Sequence, residues 1–318
     1  MYEYMYKGSK PMFLGQAWPC VAFICSLVGA QASRPGPYDT KETTFVVPSL
    51  DSTNQVVDCF YPVGNNTMNS SFRLLSYTHG FGGGGIVEPV GYFSLFRDIA
   101  SFGYVVVAPR ACDWGCRDDH ASLPHDPNGF AHYYKQQLLA IEWAAAQSTE
   151  PFDRVDFARI GIAGHSMGGQ ATLFSSSGEN ASTHNITASV LHHAYSHEYP
   201  SAQVPMLVFT GTTDTTALPS WSKTMYEKVA PHLAKGFVNR KDTPHWEPIT
   251  HPFGPYHPEL ALFTAAWLKL FVDKTPFADG LNYEELLFGS SNHSLCGGGD
   301  GSMEECEVSR ASMDVEAH

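Results

Sequence analysis

The residues best suited to chemistry sit in one pentad, Gly164-His165-Ser166-Met167-Gly168, continued by Gly169. A serine hydroxyl is a weak nucleophile at neutral pH. It needs a base within hydrogen-bond reach, and the base needs a carboxylate to orient it. A Gly-x-Ser-x-Gly pentad serves this purpose when a strand leads in and a helix leads out, because the sharp turn lifts the hydroxyl clear of the strand ends. Residues 160–163, Ile-Gly-Ile-Ala, read as that strand, and residues 170–174 read as a helical run. Side chains at 164 and 168 would collide with neighbouring backbone in so tight a turn, and Gly169 lets the helix pack closely. The chemistry implied is acyl transfer through Ser166.

The partners follow from chain order, acid and then base, each in a loop after a strand. Residues 206–210 read as a strand, and Gly211-Thr212-Thr213-Asp214 is its loop. Residues 236–240 read as the next strand, and Lys241-Asp242-Thr243-Pro244-His245 is its loop. Asp214 and His245 are therefore the acid and the base. Asp242 competes for the first role but belongs to the histidine's own loop. A developing oxyanion needs two backbone N–H groups. Met167 supplies one. Phe81 supplies the other, from His79-Gly80-Phe81 and the glycine run 82–85 that follow a strand at 74–78. No Gly-Lys-Ser/Thr follows that run, so it is not read as a phosphate loop. His192, His193 and His197 cluster after a strand-like run at 188–191 and are expected to line the rim of the cleft rather than to bind metal. His251 and His257 lie beyond the loop expected for the base. Neither a metal nor a cofactor is expected.

Such loops must be held by a sheet. Short apolar runs at 74–78, 104–108, 160–163 and 206–210 alternate with helical patterns, the signature of parallel strands with crossover helices. Residues 130–146 read as a helix with Tyr134, Leu138, Ile141 and Ala145 on one face, and 260–272 as another with Leu260, Phe263, Trp267 and Leu270 at helical spacing. Residues 43–61 supply antiparallel strands at the start of the sheet. The chain after Asp279 lacks periodicity, and 297–318, Gly-rich and acidic, are expected to be disordered apart from one Cys-closed loop. The catalytic domain is placed at 38–277, with 278–318 as a C-terminal extension.

A net charge of −13 with no basic run argues against a nucleic-acid partner. Residues 1–32 read as a signal peptide: Lys7 and Lys10, an apolar stretch, then Ala30-Gln31-Ala32. Nothing after it reads as a membrane span. The route expected is secretory, ending outside the cell or in an endomembrane or plastid-type compartment. Sequons at Asn65, Asn69, Asn180, Asn185 and Asn292 agree with it. So do the cysteine pairs Cys112/Cys116 and Cys296/Cys306, each close enough in sequence to close a short loop in an oxidising compartment. Cys59 is left as a buried free thiol.

Several segments resemble the family that holds chlorophyllases and cutinase-like polyester hydrolases. His79-Gly80-Phe81, residues 99–109 (Ile-Ala-Ser-Phe-Gly-Tyr-Val-Val-Val-Ala-Pro) and 164–169 look like chlorophyllase segments. Residues 155–161 with the pentad, Val204-Pro205, and Asp214 with Ala217 and Pro219 look like the cutinase-like branch. The resemblance covers roughly residues 40–275. It implies an α/β-hydrolase fold, with a mostly parallel central sheet flanked by helices. It also implies ester hydrolysis by Ser166, Asp214 and His245 with Phe81 and Met167 as oxyanion donors. Met167 stands where many chlorophyllases have Arg. Tyr195 takes the place of the tryptophan usual in the cutinase-like branch, and 112–129 matches neither pattern. Phe81, Met167 and Tyr195, the residues read as framing the site, include no Arg or Lys, which suits a neutral, bulky, hydrophobic ester. The expectation is a chlorophyllase-like activity first, a polyester or lipid ester next. A non-catalytic secreted binding module on the same fold is the alternative of another class. Oligomeric state is left open.

Overall fold

The computed structural model describes residues 35–50, 55–64, 70–81, 88–110, 133–196, 198–250, 252, 254–297 and 301–311. Runs of β-branched and aromatic residues make the strands: β1 (Asp39–Val46), β2 (Val56–Val63), β3 (Phe72–Thr78), β4 (Tyr104–Pro109), β5 (Val155–His165), β6 (Ile186–His192), β7 (Met206–Gly211) and β8 (Lys235–Arg240). Between them lie α1 (Phe93–Ser101), α2 (Tyr133–Ala145), α3 (Met167–Ser175), α4 (Gly178–Thr183) and α5 (Pro219–Lys228). After β8 come α6 (Pro258–Leu268), a small hairpin of β9 (Phe277–Ala278) and β10 (Leu281–Asn282), α7 (Tyr283–Phe288) and β11 (Met303–Ser309). Nine strands form one sheet in the order β1-β2-β4-β3-β5-β6-β7-β8-β11. The six from β4 to β8 run parallel, and β1, β2 and β11 pair antiparallel at the two edges. This is the mostly parallel sheet flanked by helices that an α/β-hydrolase fold requires.

Both faces of the sheet are covered, so its central strands are apolar throughout. Alternation still sorts their side chains. Leu74, Val105 and Val107 join one core layer; Leu75, Tyr77, Tyr104 and Val106 join the other, beneath α1 and α6. Register places the strand ends side by side: Gly164 beside Leu191, His165 beside His192, Gly211 beside Arg240. The loops after β5, β6, β7 and β8 therefore meet at the carboxyl end of the sheet, where open α/β sheets build their sites.

Two helices differ from expectation. In α2 the buried face includes Tyr133, Gln137, Ala140 and Ala144, while Ala145 is exposed. The reason is Gln137, whose amide donates to the Ser76 and Ala163 carbonyls (both 3.1 Å) and to Thr172 Oγ1 (3.2 Å). A polar side chain that stitches β3, β5 and α3 together turns the helix in a way that apolar spacing does not show. The α6 helix is buried on nearly every side, and its last turns open into a π-helical stretch, Lys269–Asp273.

Part of the extension expected at 278–318 shares that burial. Tyr283, Leu287 and Leu295 are core residues packed with Trp267, and β11 pairs along β8 as the ninth strand. The segment is legible only against α6, whose apolar outer face it covers. Cys296 and Cys306 form a disulfide, and Cys59 is a buried free thiol on β2. Residues 1–32, Asn65, Asn69, the 82–85 glycine run, Cys112, Cys116, 112–129, His197 and His251 lie outside the described residues. Among the described residues no helix is long and apolar enough to cross a membrane.

Candidate active site

Ser166 stands between β5 and α3 with φ 55° and ψ −119°, a conformation that L-residues rarely adopt. The surroundings impose it. A β-carbon on Gly164 would strike the Gly168 carbonyl, and one on Gly168 would strike the Thr78 carbonyl. Gly169 admits the loop after β6: a β-carbon there would meet that of Ala194. The Ser166 N–H donates to the His192 carbonyl (3.0 Å), and its own carbonyl accepts the Tyr195 N–H (2.9 Å). The elbow is thus bolted to β6 on both sides.

Asp214 follows β7 in a turn closed by its own side chain: Oδ1 accepts the N–H groups of Thr216 (2.9 Å) and Ala217 (2.8 Å). Its Oδ2 accepts from His245 Nδ1 at 2.9 Å. With that nitrogen protonated, His245 Nε2 offers a lone pair, and the Ser166 hydroxyl donates to it at 2.9 Å. All three side chains are buried. Burial penalises the carboxylate, but the hydrogen bonds from His193 and His245 outweigh it and hold Asp214 well below the usual carboxylate range. Burial likewise holds His245 below its ordinary value, with Asp214 opposing. The imidazole is therefore neutral at pH 7 and free to accept a proton. Asp242 is exposed, its N–H donating to Thr212 Oγ1 (2.9 Å), and His257 bonds to Glu247 instead (2.9 Å).

The loop bearing Phe81 is tied to the elbow and to the base by one directional chain. Burial keeps His165 neutral, well below its usual range. Its Nε2–H donates to the His245 carbonyl (2.8 Å), so its Nδ1 accepts from the Tyr92 hydroxyl (2.7 Å), whose oxygen accepts the Gly80 N–H (3.0 Å). A β-carbon on Gly80 would lie 3.1 Å from that of Ser166, so this backbone runs directly against the nucleophile. Met167 opens α3, where the first N–H groups of a helix have no partner within it.

Around these groups lies an aromatic rim. Phe81 and Trp246 are 38% and 45% exposed, and the Trp246 ring stands edge-on to His245 with centroids 5.0 Å apart. Tyr195 is half-buried and meets Trp221 edge-on at 5.1 Å. Leu218, also exposed, sits in the loop after Asp214. Arg240 at the end of β8 is engaged by Glu247 (2.9 Å) and Glu259 (2.6 Å).

The structure brings Ser166, Asp214, His245, Phe81, Met167 and Tyr195 together. It does not put His192 and His193 on the rim. Both are fully buried, because the strand end they occupy is roofed by the loops after β7 and β8. His192 spans Tyr77 and Thr264 (3.1 and 3.0 Å), and burial lowers it to about 3; His193 faces Asp214 and Glu247 (2.9 and 3.0 Å). Sequence reasoning missed Tyr92, Trp221, Trp246 and Glu247. Trp246 had a signal, since an aromatic next to the base must stand near the substrate. The others depend on contacts between distant segments.

Comparison with known proteins places the chain in a family. A family model described as PET hydrolase-like matches residues 61–307. The bis(hydroxyethyl) terephthalate hydrolase of Streptomyces coelicolor is 26% identical over 239 residues, 69% of each chain. Cutinase est1 of Thermobifida alba is 27% identical over 217 residues, 68% of this chain and 64% of that one. Cutinase 1 of Thermobifida cellulosilytica is 25% identical over 217 residues, 67% and 72% of the two chains. With a family match running from β2 into β11 over a mostly parallel sheet, this chain belongs to the PET hydrolase-like family of α/β-hydrolase carboxylic-ester hydrolases.

Proposed function

We propose that the protein cleaves neutral, hydrophobic carboxylic esters of the cutin or polyester type through Ser166, His245 and Asp214. The observation that carries the reading is the unbroken row of hydrogen bonds from Asp214 through His245 to a serine held at positive φ. Ser166 Oγ attacks the ester carbonyl as its proton passes to His245 Nε2. Asp214 stabilises the imidazolium that results. The N–H groups of Phe81 and Met167 take the oxyanion. His245 then gives the proton to the departing alcohol. Water, deprotonated by the same nitrogen, releases the acid from the acyl-enzyme. The rim of Phe81, Tyr195, Trp221 and Trp246 offers apolar, flat surfaces and no cation, which suits an aromatic or long-chain ester.

Chlorophyllase-like activity, first in the sequence reading, yields to the polyester reading on two grounds. The relatives named above carry cutinase and terephthalate-ester names. Met167 is buried under Ala171 and Tyr133, with no cation in its place. For localisation we propose the secretory route. The Cys296–Cys306 disulfide and the exposed Asn292 support it.

The test is a substrate panel under one set of conditions, with bis(hydroxyethyl) terephthalate, a medium-chain acyl ester, chlorophyll and a small charged ester, alongside labelling by a fluorophosphonate. The terephthalate or the acyl ester is expected to lead in kcat/KM, with the label on Ser166. A tenfold lead for the charged ester, about 1.4 kcal/mol of transition-state binding, would overturn the apolar reading. An unlabelled serine would return the chain to a binding module.

A further inference from the structure

Beside Ser166, His245 and Asp214 lies a fourth group with no part in the steps above. His193 is fully buried just past the end of β6, and its backbone is held at φ 46°, in the left-handed region. Its N–H is fixed to the Phe209 carbonyl at 2.8 Å. A non-glycine residue in that region marks a constraint imposed by its surroundings. The ring lies between two carboxylates: Nδ1 is 2.9 Å from Asp214 Oδ2, and Nε2 is 3.0 Å from Glu247 Oε2.

A neutral imidazole has a single N–H. One of those two contacts would then press a lone pair against a carboxylate oxygen, unless a carboxyl held the proton. Neither carboxyl is placed to hold it. Asp214 already accepts two backbone N–H groups and His245. Glu247 Oε1 accepts from Arg240 Nη1 and His257 Nδ1, both at 2.9 Å. Charge balance points the same way: among the fully buried side chains here Asp214 and Glu247 are negative, Arg240 is shared between Glu247 and Glu259, and a charged His193 offsets the negative charge that remains.

We propose that His193 is a positioning residue of this site, a buried imidazolium clamped between Asp214 and Glu247 that keeps Asp214 ionised and aimed and opposes premature protonation of His245. It rests on the roles given above to Ser166, His245 and Asp214. The His193 and His245 rings are 6.0 Å apart, close enough for one charge to be felt at the other. The direction of the His193 equilibrium agrees: burial disfavours the cation, but the bonds to Asp214 and Glu247 outweigh it and raise the group above its usual value. The titratable and charged groups facing the pair come from every neighbouring strand end: His165 from β5, His192 from β6, Asp214 after β7, Arg240 and Glu247 at and after β8, and His257 before α6.

Two measurements test this. The first is the imidazole 15N spectrum of the whole protein at pH 7.5, assigned through a His193→Gln control. Both His193 nitrogens are expected to be protonated; a neutral tautomer would overturn the proposal whatever the enzyme's activity. The second is the pH profile of kcat/KM. His193→Gln leaves an uncompensated negative charge beside His245, so the acid limb should move up by about one pH unit with kcat reduced about tenfold or more. His193→Gln combined with Glu247→Gln restores the charge balance and should bring the limb back toward that of the unaltered enzyme. It also serves if the single variant folds poorly. A limb unmoved in both variants would make His193 a packing residue only. Failure of Ser166 to label, by contrast, would fault the catalytic reading and leave the spectrum of His193 to stand by itself.

Discussion

At Ser166 the backbone stores what the chemistry uses. The strained turn costs stability, and in exchange the hydroxyl faces His245 with no rotamer search. Ser166→Ala should leave the fold intact, because the change removes only an oxygen, and should lower kcat by up to about 10⁶. Asp214→Asn should lower it by about 10⁴, as His245 loses its tautomer and its counter-charge. Circular dichroism together with turnover of a p-nitrophenyl ester checks both. Because burial holds His245 below its ordinary value, the acid limb of kcat/KM should fall at a lower pH than a free imidazole would give. A midpoint above 6.5 would mean that the solvent reaches the ring. Trp246→Ala should raise KM for aromatic esters more than it lowers kcat, since the ring borders the base without bonding to it. That Ser166, Asp214 and His245 lie together was readable because each follows a strand in a fixed chain order. Tyr92, His193 and Glu247 were not, because their roles exist only where loops from different strands touch.

The elements show how much of the fold the sequence carried and where it stopped. Strands buried on both faces announce themselves as apolar runs, so β3 to β8 were found to within a few residues, the long β5 excepted. The β11 strand was not, because an edge strand has one face in solvent and alternates weakly. Its Glu305 and Glu307 turn outward to Lys223 on α5 (2.7 and 2.5 Å) rather than inward to a core. The exposed ion pairs are weak, so the strand depends on its ladder with β8 and on the disulfide. Replacing Cys296 and Cys306 by Ala should lower stability by about 2–3 kcal/mol, read as a fall in the denaturation midpoint that matches the effect of a reductant. The α3 helix gives the tighter packing test. Gly169→Ala drives a methyl into Ala194 and should cost about 1–3 kcal/mol. It should also lower activity, because the same shift moves the Tyr195 N–H off the Ser166 carbonyl.

For the molecule as a whole, the buried histidines set the pH window of stability. His165, His192 and His245 are held below their unfolded value of about 6.5, so each contributes stability above that pH and loses it as the pH falls. His193 is held above its unfolded value, so its contribution is complete below about 6.5 and fades as the pH rises through its folded value. Three groups therefore pull stability down on the acid side and one on the alkaline side. Urea unfolding across pH 5 to 9 should show a maximum near neutrality with a steeper fall toward acid, up to about 1.4 kcal/mol per proton per pH unit. A steady rise in stability from pH 7 to pH 5 would contradict the assignment of these rings.

The pairing of β11 with β8 also has a temporal consequence. Met303 lies opposite Arg240, and the Ser302 carbonyl holds the Lys241 N–H, so the last strand braces the peptide that leads into His245. A ribosome makes Ser166 first, then Asp214, then His245, and only after roughly another fifth of the 318 residues the strand and the second cysteine that close the edge. A nascent chain can thus carry every reactive group and still leave the β8 edge unpaired and the base loop unbraced. The brace arrives only once residues 303–309 are made and Cys296 and Cys306 are joined, which separates the making of the reactive groups from the bracing of the loop that carries the base.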